Sequence, residues 1–390
     1  MSAPQVQRAP VRVEPVAAPR SRWVRPSWRL AVLVLLTGLV AAAAMLAVAG
    51  ATGWALAIGV AALPAVAAWA LRPRRATTPG DERRRLGEYA LIDLLGHGGM
   101  GEVWRAEHRL LGRPAAVKLI HVDEGQAPEP AAVTRFEREA RMTARLTSPH
   151  AVRLFDFGVA DDGTLYLVME LLDGMDLEQV VLRDGPQPAA RVVHLLVQAC
   201  DALQEAHDQG LIHRDVKPSN FVVRRQPHYG DWLTVLDFGL GLELRHVARG
   251  DGRLTAAGHL AGTPAYMAPE LARPPRDGVI DHRVDIYALG CLAYYLLSGR
   301  EVFTGASPME VVAAQVVETP LPIAQIARTA VPDGLAAVVM ECLAKDPARR
   351  PASARALAQR LTACLAGATW TAADADAWWR RRDLARAARG

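Results

Sequence analysis

Leu211-Ile212-His213-Arg214-Asp215-Val216-Lys217-Pro218-Ser219-Asn220 sets a carboxylate, an ammonium and a carboxamide in one short polar stretch. Lys217 follows Asp215 by two residues and Asn220 follows it by five. A carboxylate can orient a hydroxyl and accept its proton, a lysine can neutralise charge on a phosphoryl group, and an amide oxygen can hold a divalent metal. The spacing therefore suits phosphoryl transfer. A polar surface turn holding these residue types by chance is the competing reading, and the rest of the chain decides between them.

The stretch resembles the catalytic loop H-R-D-x-x-x-x-N of protein kinases, and its Lys-Pro resembles the serine/threonine branch. On that resemblance Asp215 and Lys217 are catalytic and Asn220 is a metal ligand. Upstream, Tyr89 to Leu95 reads as a strand leading into Gly96-His97-Gly98-Gly99-Met100-Gly101-Glu102-Val103. Glycines there let backbone N–H groups approach phosphates and allow positive φ. A following helix would favour a dinucleotide site, but Glu102 to Glu107 alternates as a strand does, which favours a kinase lid.

Ala115-Ala116-Val117-Lys118-Leu119-Ile120 resembles the V-A-I-K strand, with Lys118 reaching the phosphates. A lysine in an apolar run needs a carboxylate partner. The resemblance assigns that role to Glu139, on a helix expected over Ala131 to Leu146, with Glu137 on another helical face. Leu165 to Glu170 is expected to be the last strand of the lobe. Glu170-Leu171-Leu172 resembles the adenine-pairing hinge, with Met169 at the pocket mouth or in the core and Asp176 placed for the ribose. The resemblance thus implies nucleotide contacts from Leu95 through Val103 and from Ala116, Lys118, Glu170, Leu172 and Asp176.

Beyond the helical stretch Pro188 to Gln209 and the catalytic loop, strands Phe221-Val222-Val223 and Leu233 to Leu236 lead to Asp237-Phe238-Gly239. This resembles the metal-binding D-F-G. Between those strands RRQPHYGDW is expected to form a long turn. Leu240 to Glu270 resembles an activation segment ending in the G-T-P-x-Y-M-A-P-E of bacterial eukaryotic-like serine/threonine kinases. Thr255, then Thr263, is the expected site of autophosphorylation in trans, with Arg214 as its phosphate partner and a homodimer as the implied assembly. The resemblance further implies that Asp285 caps the backbone of the catalytic loop and that Arg350 pairs with Glu270.

The N-terminal part of the chain is of another kind. Residues 1–29 carry six arginines against one acid, Glu14, and read as a disordered cytoplasmic tail suited to anionic lipid rather than nucleic acid. From Leu30 to Leu71 there is no charge at all. As one helix this would run about 63 Å, twice a bilayer core of about 30 Å. Gly50-Ala51-Thr52-Gly53 divides it into expected transmembrane helices at 30–49 and 54–71. Arginines flank both outer ends, which puts the N-terminus and the downstream domain in the cytoplasm, at the inner membrane.

The expected architecture is α+β: a helical hairpin in the membrane, a linker at 72–87, a two-lobed kinase fold over 88–363 and a helical tail at 364–390. That tail carries Trp378 and Trp379, which either dock on the large lobe or touch membrane. Four cysteines without metal-site spacing read as free thiols in a reducing cytosol. The function implied is transfer from ATP, with Mg2+ or Mn2+, to Ser/Thr hydroxyls of proteins. A membrane-tethered pseudokinase scaffold is the alternative, and it is disfavoured because Lys118, Asp215 and Asp237 are all retained.

Overall fold

The computed structural model describes residues 84–98, 101–120, 130–160, 162–238, 263–275, 278–365 and 367–387. The basic tail, both expected membrane helices, Gly99, Met100 and Thr255 lie outside them. Among the described residues no helix is long and apolar enough to cross a membrane.

The smaller lobe is an antiparallel sheet in the order β1-β2-β3-β4-β6-β5. Its strands are β1 (Arg85–Leu86), β2 (Tyr89–Gly98), β3 (Gly101–His108), β4 (Arg113–Ile120), β5 (Leu154–Val159) and β6 (Leu165–Glu170). Strand β4 is central and apolar, and alternation splits it between two cores. Ala115, Val117 and Leu119 pack with Leu86, Tyr89, Leu91, Ala106 and Val168 on one face. Ala116 and Ile120 pack on the other with Ala132, Phe136 and Ala140 of helix α1 (Pro130–Thr143). Those three helical positions recur every four residues, the spacing that makes one apolar stripe. Lys118 shares the parity of Ala116 and Ile120, so the period of two puts it on the face that α1 covers.

The larger lobe is mostly helical: α2 (Leu177–Asp184), α3 (Ala189–Asp208), α4 (Pro269–Ala272), α5 (Arg283–Ser298), α6 (Pro308–Val317), α7 (Ile323–Ile326), α8 (Asp333–Cys342), α9 (Ala354–Ala363) and α10 (Ala372–Ala387). Every residue of α5 from Val284 to Ser298 is buried, as expected of a helix apolar all round. Gly299 ends it in the left-handed conformation, with its N–H on Tyr295 O. Gly290 lets α8 approach, since a Cβ there would lie 2.6 Å from Cys342 Cβ.

A small sheet, β7 (Met175–Asp176), β8 (Phe221–Gln226) and β9 (Gly230–Val235), lies beside α3. Here the strands are longer than the sequence suggests. Arg224, Arg225 and Gln226 continue β8, pairing with Trp232, Asp231 and Gly230. The turn is therefore only residues 227–229, closed by positive φ at His228 and Gly230. All four cysteines are free, as the sequence suggests.

Candidate active site

The catalytic loop is held from below by α5. Asp285, fully buried in its first turn, accepts from the backbone N–H of His213 at 2.9 Å and of Arg214 at 2.8 Å. It also bonds His207 Nε2 at 2.8 Å. Burial pushes the Asp285 carboxyl up, but the His207 bond and the neighbouring donors more than offset this and hold it below the ordinary carboxylate value. The expected cap is thus present, and it fixes Arg214 at φ +60°.

His213 ties this loop to the strand end that carries Asp237. Its Nδ1 accepts from Asp215 N at 3.3 Å, so the ring's proton sits on Nε2 and is donated to Leu236 O at 2.7 Å. Leu236 N returns a bond to Asn220 O at 2.8 Å. The ring lies between Phe221 and Phe238.

Within the loop, Lys217 Nζ donates to Asp215 Oδ2 at 2.7 Å, and Asn220 Nδ2 reaches the same oxygen at 3.2 Å and Asp215 O at 2.8 Å. Neither Asp215 Oδ1 nor Asn220 Oδ1 takes part in these three bonds. Asp237, at φ +54°, turns its carboxylate to Lys118, with Nζ to Oδ2 at 2.6 Å. Burial pushes Asp237 up, but the charge and hydrogen bond of Lys118, with Lys217 behind them, hold its carboxyl below the ordinary value. The Lys118–Asp237 pair and the Asp215–Lys217–Asn220 group are brought together at the end of the β8–β9 hairpin, where Leu236 N bonds Asn220 O and the Lys217 charge acts on Asp237.

Glu139 does not join them. Lys118 is bonded to Asp237, and Glu139 has a buried Oε2 without a hydrogen-bond partner. Burial pushes its carboxyl up to about 7, with Arg214, Arg138 and Arg135 pulling the other way. The expected pairing is corrected for a physical reason. One carboxylate already satisfies the buried ammonium, and a second one left without donors resists ionisation.

In the glycine-rich hairpin Gly101 is required by geometry. Its φ is +131°, and a Cβ would sit 1.8 Å from Leu119 O. Gly96 meets nothing within 4 Å, and its Cα pairs with Val103 across the hairpin. His97 pairs with Glu102 and Gly98 with Gly101, while Leu95 is exposed. The Glu102 carboxylate accepts from Trp104 Nε1 at 2.9 Å. Val103 and Ala116 border the core beneath this hairpin.

At the far edge Glu170 is tied to Arg153, its N–H donating to Arg153 O at 3.0 Å and its carboxylate accepting from Arg153 N at 2.9 Å. Leu172 is half-buried and Met169 lies in the core. Asp176 caps α2, with Oδ1 accepting from Gln179 N at 2.7 Å, a structural duty the sequence reading did not assign. His207 and Asp231 were also unflagged; each becomes legible only through a partner distant in sequence.

Among the described residues no cluster of three or more acidic, His or Cys side chains could hold a metal alone. Two oxygen ligands, from Asp237 and Asn220, are nonetheless what Mg2+ takes when substrate phosphates complete its shell. The donor set fits ATP with a hard divalent ion. At the lobe's lower edge Arg350 forks onto Glu270 with bonds of 2.5 and 2.8 Å, as expected.

Comparison with known proteins agrees with this geometry. The family described as protein kinase domain matches residues 89–362. The chain is 36% identical over 277 residues to serine/threonine-protein kinase pkn3 of Myxococcus xanthus, covering 71% of this chain and 50% of that protein. It is 38% identical over 265 residues to serine/threonine-protein kinase PknB of Mycolicibacterium smegmatis, covering 67% and 40%. The crystal structure of Rad53 1–466 in complex with AMP-PNP superposes with a TM-score of 0.56 at 26% identity, over 70% of this chain and 64% of that one. The chain spans half or less of the length of these two curated relatives.

Proposed function

Because the chain belongs to the protein kinase family, we propose that it is a serine/threonine protein kinase, transferring the γ-phosphoryl group of ATP to protein hydroxyls. The observation that carries this is the juxtaposition of the Lys118–Asp237 pair with Asp215, Lys217 and Asn220 at the end of the β8–β9 hairpin. Asp215 Oδ1 would accept the proton of a serine or threonine hydroxyl while Oδ2 is held by Lys217 and Asn220, which fixes the carboxylate's orientation. Lys217 would neutralise charge building on the phosphoryl oxygens. Lys118 would leave Asp237 for the nucleotide phosphates. A magnesium or manganese ion on Asp237 and Asn220 would supply further charge neutralisation across the phosphates. The protein substrates would be Ser/Thr-bearing chains presented along the segment that ends at Glu270.

The proposal extends to location and control. The uncharged block 30–71 and its arginine flanks support anchoring in the inner membrane with the catalytic lobes in the cytoplasm. Autophosphorylation at Thr255 or Thr263, between two copies of the chain, would provide the switch. A pseudokinase scaffold is disfavoured because Lys118, Asp237, Asp215, Lys217 and Asn220 are all retained.

The test is transfer of labelled phosphate from ATP to a generic protein by the detergent-solubilised full chain, beside Asp215→Asn. Incorporation should fall by about 10²- to 10⁴-fold in the variant. Equal incorporation in both would remove the proposal.

A further inference from the structure

The family match ends at residue 362, yet the chain continues into α10, which lies on β8 and β9. The contact is built around Asp231, whose side chain is wholly buried beside an equally buried Arg191. Arg191 Nε donates to Asp231 Oδ2 at 2.7 Å. Two tryptophans of the tail complete the shell: Trp370 Nε1 donates to Oδ2 at 2.9 Å and Trp379 Nε1 to Oδ1 at 2.7 Å. Trp378 lies 3.7 Å from the Arg191 guanidinium, ring centroid to Cζ. A buried carboxylate is tolerated only when its oxygens are met by donors, and the tail supplies one to each oxygen of Asp231, while Gln187 accepts from the Arg191 guanidinium. Gly230 lets the helix close in, since a Cβ there would stand 3.0 Å from Ala372 Cα and from Ala375 Cβ. Arg225 on β8 adds a bond to Asp376 at 2.9 Å, and Arg382 lies 3.6 Å from Asp184 at the end of α2.

The hairpin so gripped holds both candidate metal ligands at its open end. Asn220 immediately precedes β8, and Asp237 follows β9 by two residues. Leu236 N to Asn220 O closes the pair of strands between them. We propose that Trp370, Trp379 and Asp231 are positioning residues: the docked tail sets the β8–β9 hairpin and thereby the spacing of Asn220 and Asp237 for the metal–nucleotide complex. The active unit then extends to α10. This rests on the kinase reading for what the two ligands bind.

The experiment uses the full chain with Trp370→Phe/Trp379→Phe, which keeps aromatic bulk and removes both N–H donors. A second form carries a protease site at residue 366, so that the tail is severed only after folding. The readouts are Mg2+-dependent binding of a fluorescent ATP analogue, hydrogen exchange in β8 and β9, and the melting temperature. Expected is a rise of about 3- to 10-fold in the Mg2+ concentration for half-saturation, equivalent to roughly 0.6–1.4 kcal/mol, together with faster exchange in the hairpin. A synthetic 367–390 peptide should restore the cut enzyme. Unchanged Mg2+ half-saturation in the double variant or the cut enzyme, even with a lower melting temperature, would overturn the positioning role. Because binding rather than transfer is measured, absence of transfer in the unaltered chain would count against the kinase proposal alone.

Discussion

Lys118 Nζ lies 2.6 Å from Asp237 Oδ2, and the carboxylate that the sequence pairs with that lysine, Glu139, is left with a buried oxygen and no hydrogen bond. The same ammonium has two acidic claimants, one on the strand end below it and one on α1. The strand end holds it in this structure. What would move it is ionisation of Glu139 or occupation of Asp237 by a cation.

The first of these makes stability depend on pH. Burial raises Glu139 from an ordinary value of 4.5 to about 7. A raised carboxyl contributes stability that is complete below about 4.5 and is lost as pH rises through about 7. The gap between the melting temperatures of the chain and of Glu139→Gln, whose amide cannot ionise, should be constant below about pH 4.5 and shift against the unaltered chain between there and pH 8. Parallel curves would refute this.

Lys118→Met should strip Asp237 of its largest favourable neighbour and remove a cation from the phosphates. Loss of one such electrostatic donor typically costs about 10²- to 10³-fold in kcat. Steady-state transfer assays with a circular dichroism control would check that the fold survives.

Asp285→Ala would remove the acceptor for two backbone N–H groups and for His207 at once. Each buried donor left unmet costs about 1–3 kcal/mol, so denaturant titration should show a loss of roughly 3 kcal/mol or more. Asp285→Asn keeps one acceptor oxygen and should lose less.

Gly101→Ala would place a methyl 1.8 Å from Leu119 O at a φ of +131°. The hairpin must open to accept it, and nucleotide affinity measured by fluorescence should drop at least tenfold. Gly96→Ala meets nothing within 4 Å and should leave the unliganded protein as stable as before.

Arg350→Ala would leave Glu270 facing a buried void where a two-bond pair had been. Breaking a buried pair from one side costs about 3–5 kcal/mol, which differential scanning calorimetry would register as a clear fall in melting temperature.

Much of this was legible in the order of residues. Alternation in β3, the glycine run and the apolar run of β4 mark the small sheet, and the apolar run of α5 marks the centre of the large lobe. Asp285 and Arg350 are found where the motifs suggest, because each meets a partner that its own motif implies. The choice between Glu139 and Asp237 was not legible. Both lie far from Lys118 along the chain, and only the backbone turn at Asp237 decides which reaches it. The tail resisted reading for a like reason. Its tryptophans suit a membrane surface or a protein surface equally well until Asp231, 139 residues before Trp370, is seen beneath them. The turn in β8–β9 was overestimated because Arg225 and Gln226 look like loop residues, yet both sit in the ladder.

The bonds from Asp285 to His213 and Arg214 give Asp215 and Lys118 different mountings. Asp215 follows two backbone groups tied to α5 of the large lobe, whereas Lys118 belongs to β4 of the small sheet. The two residues are thus anchored in separate cores, so a substitution within the small sheet can displace Lys118 without touching the bonds that seat Asp215.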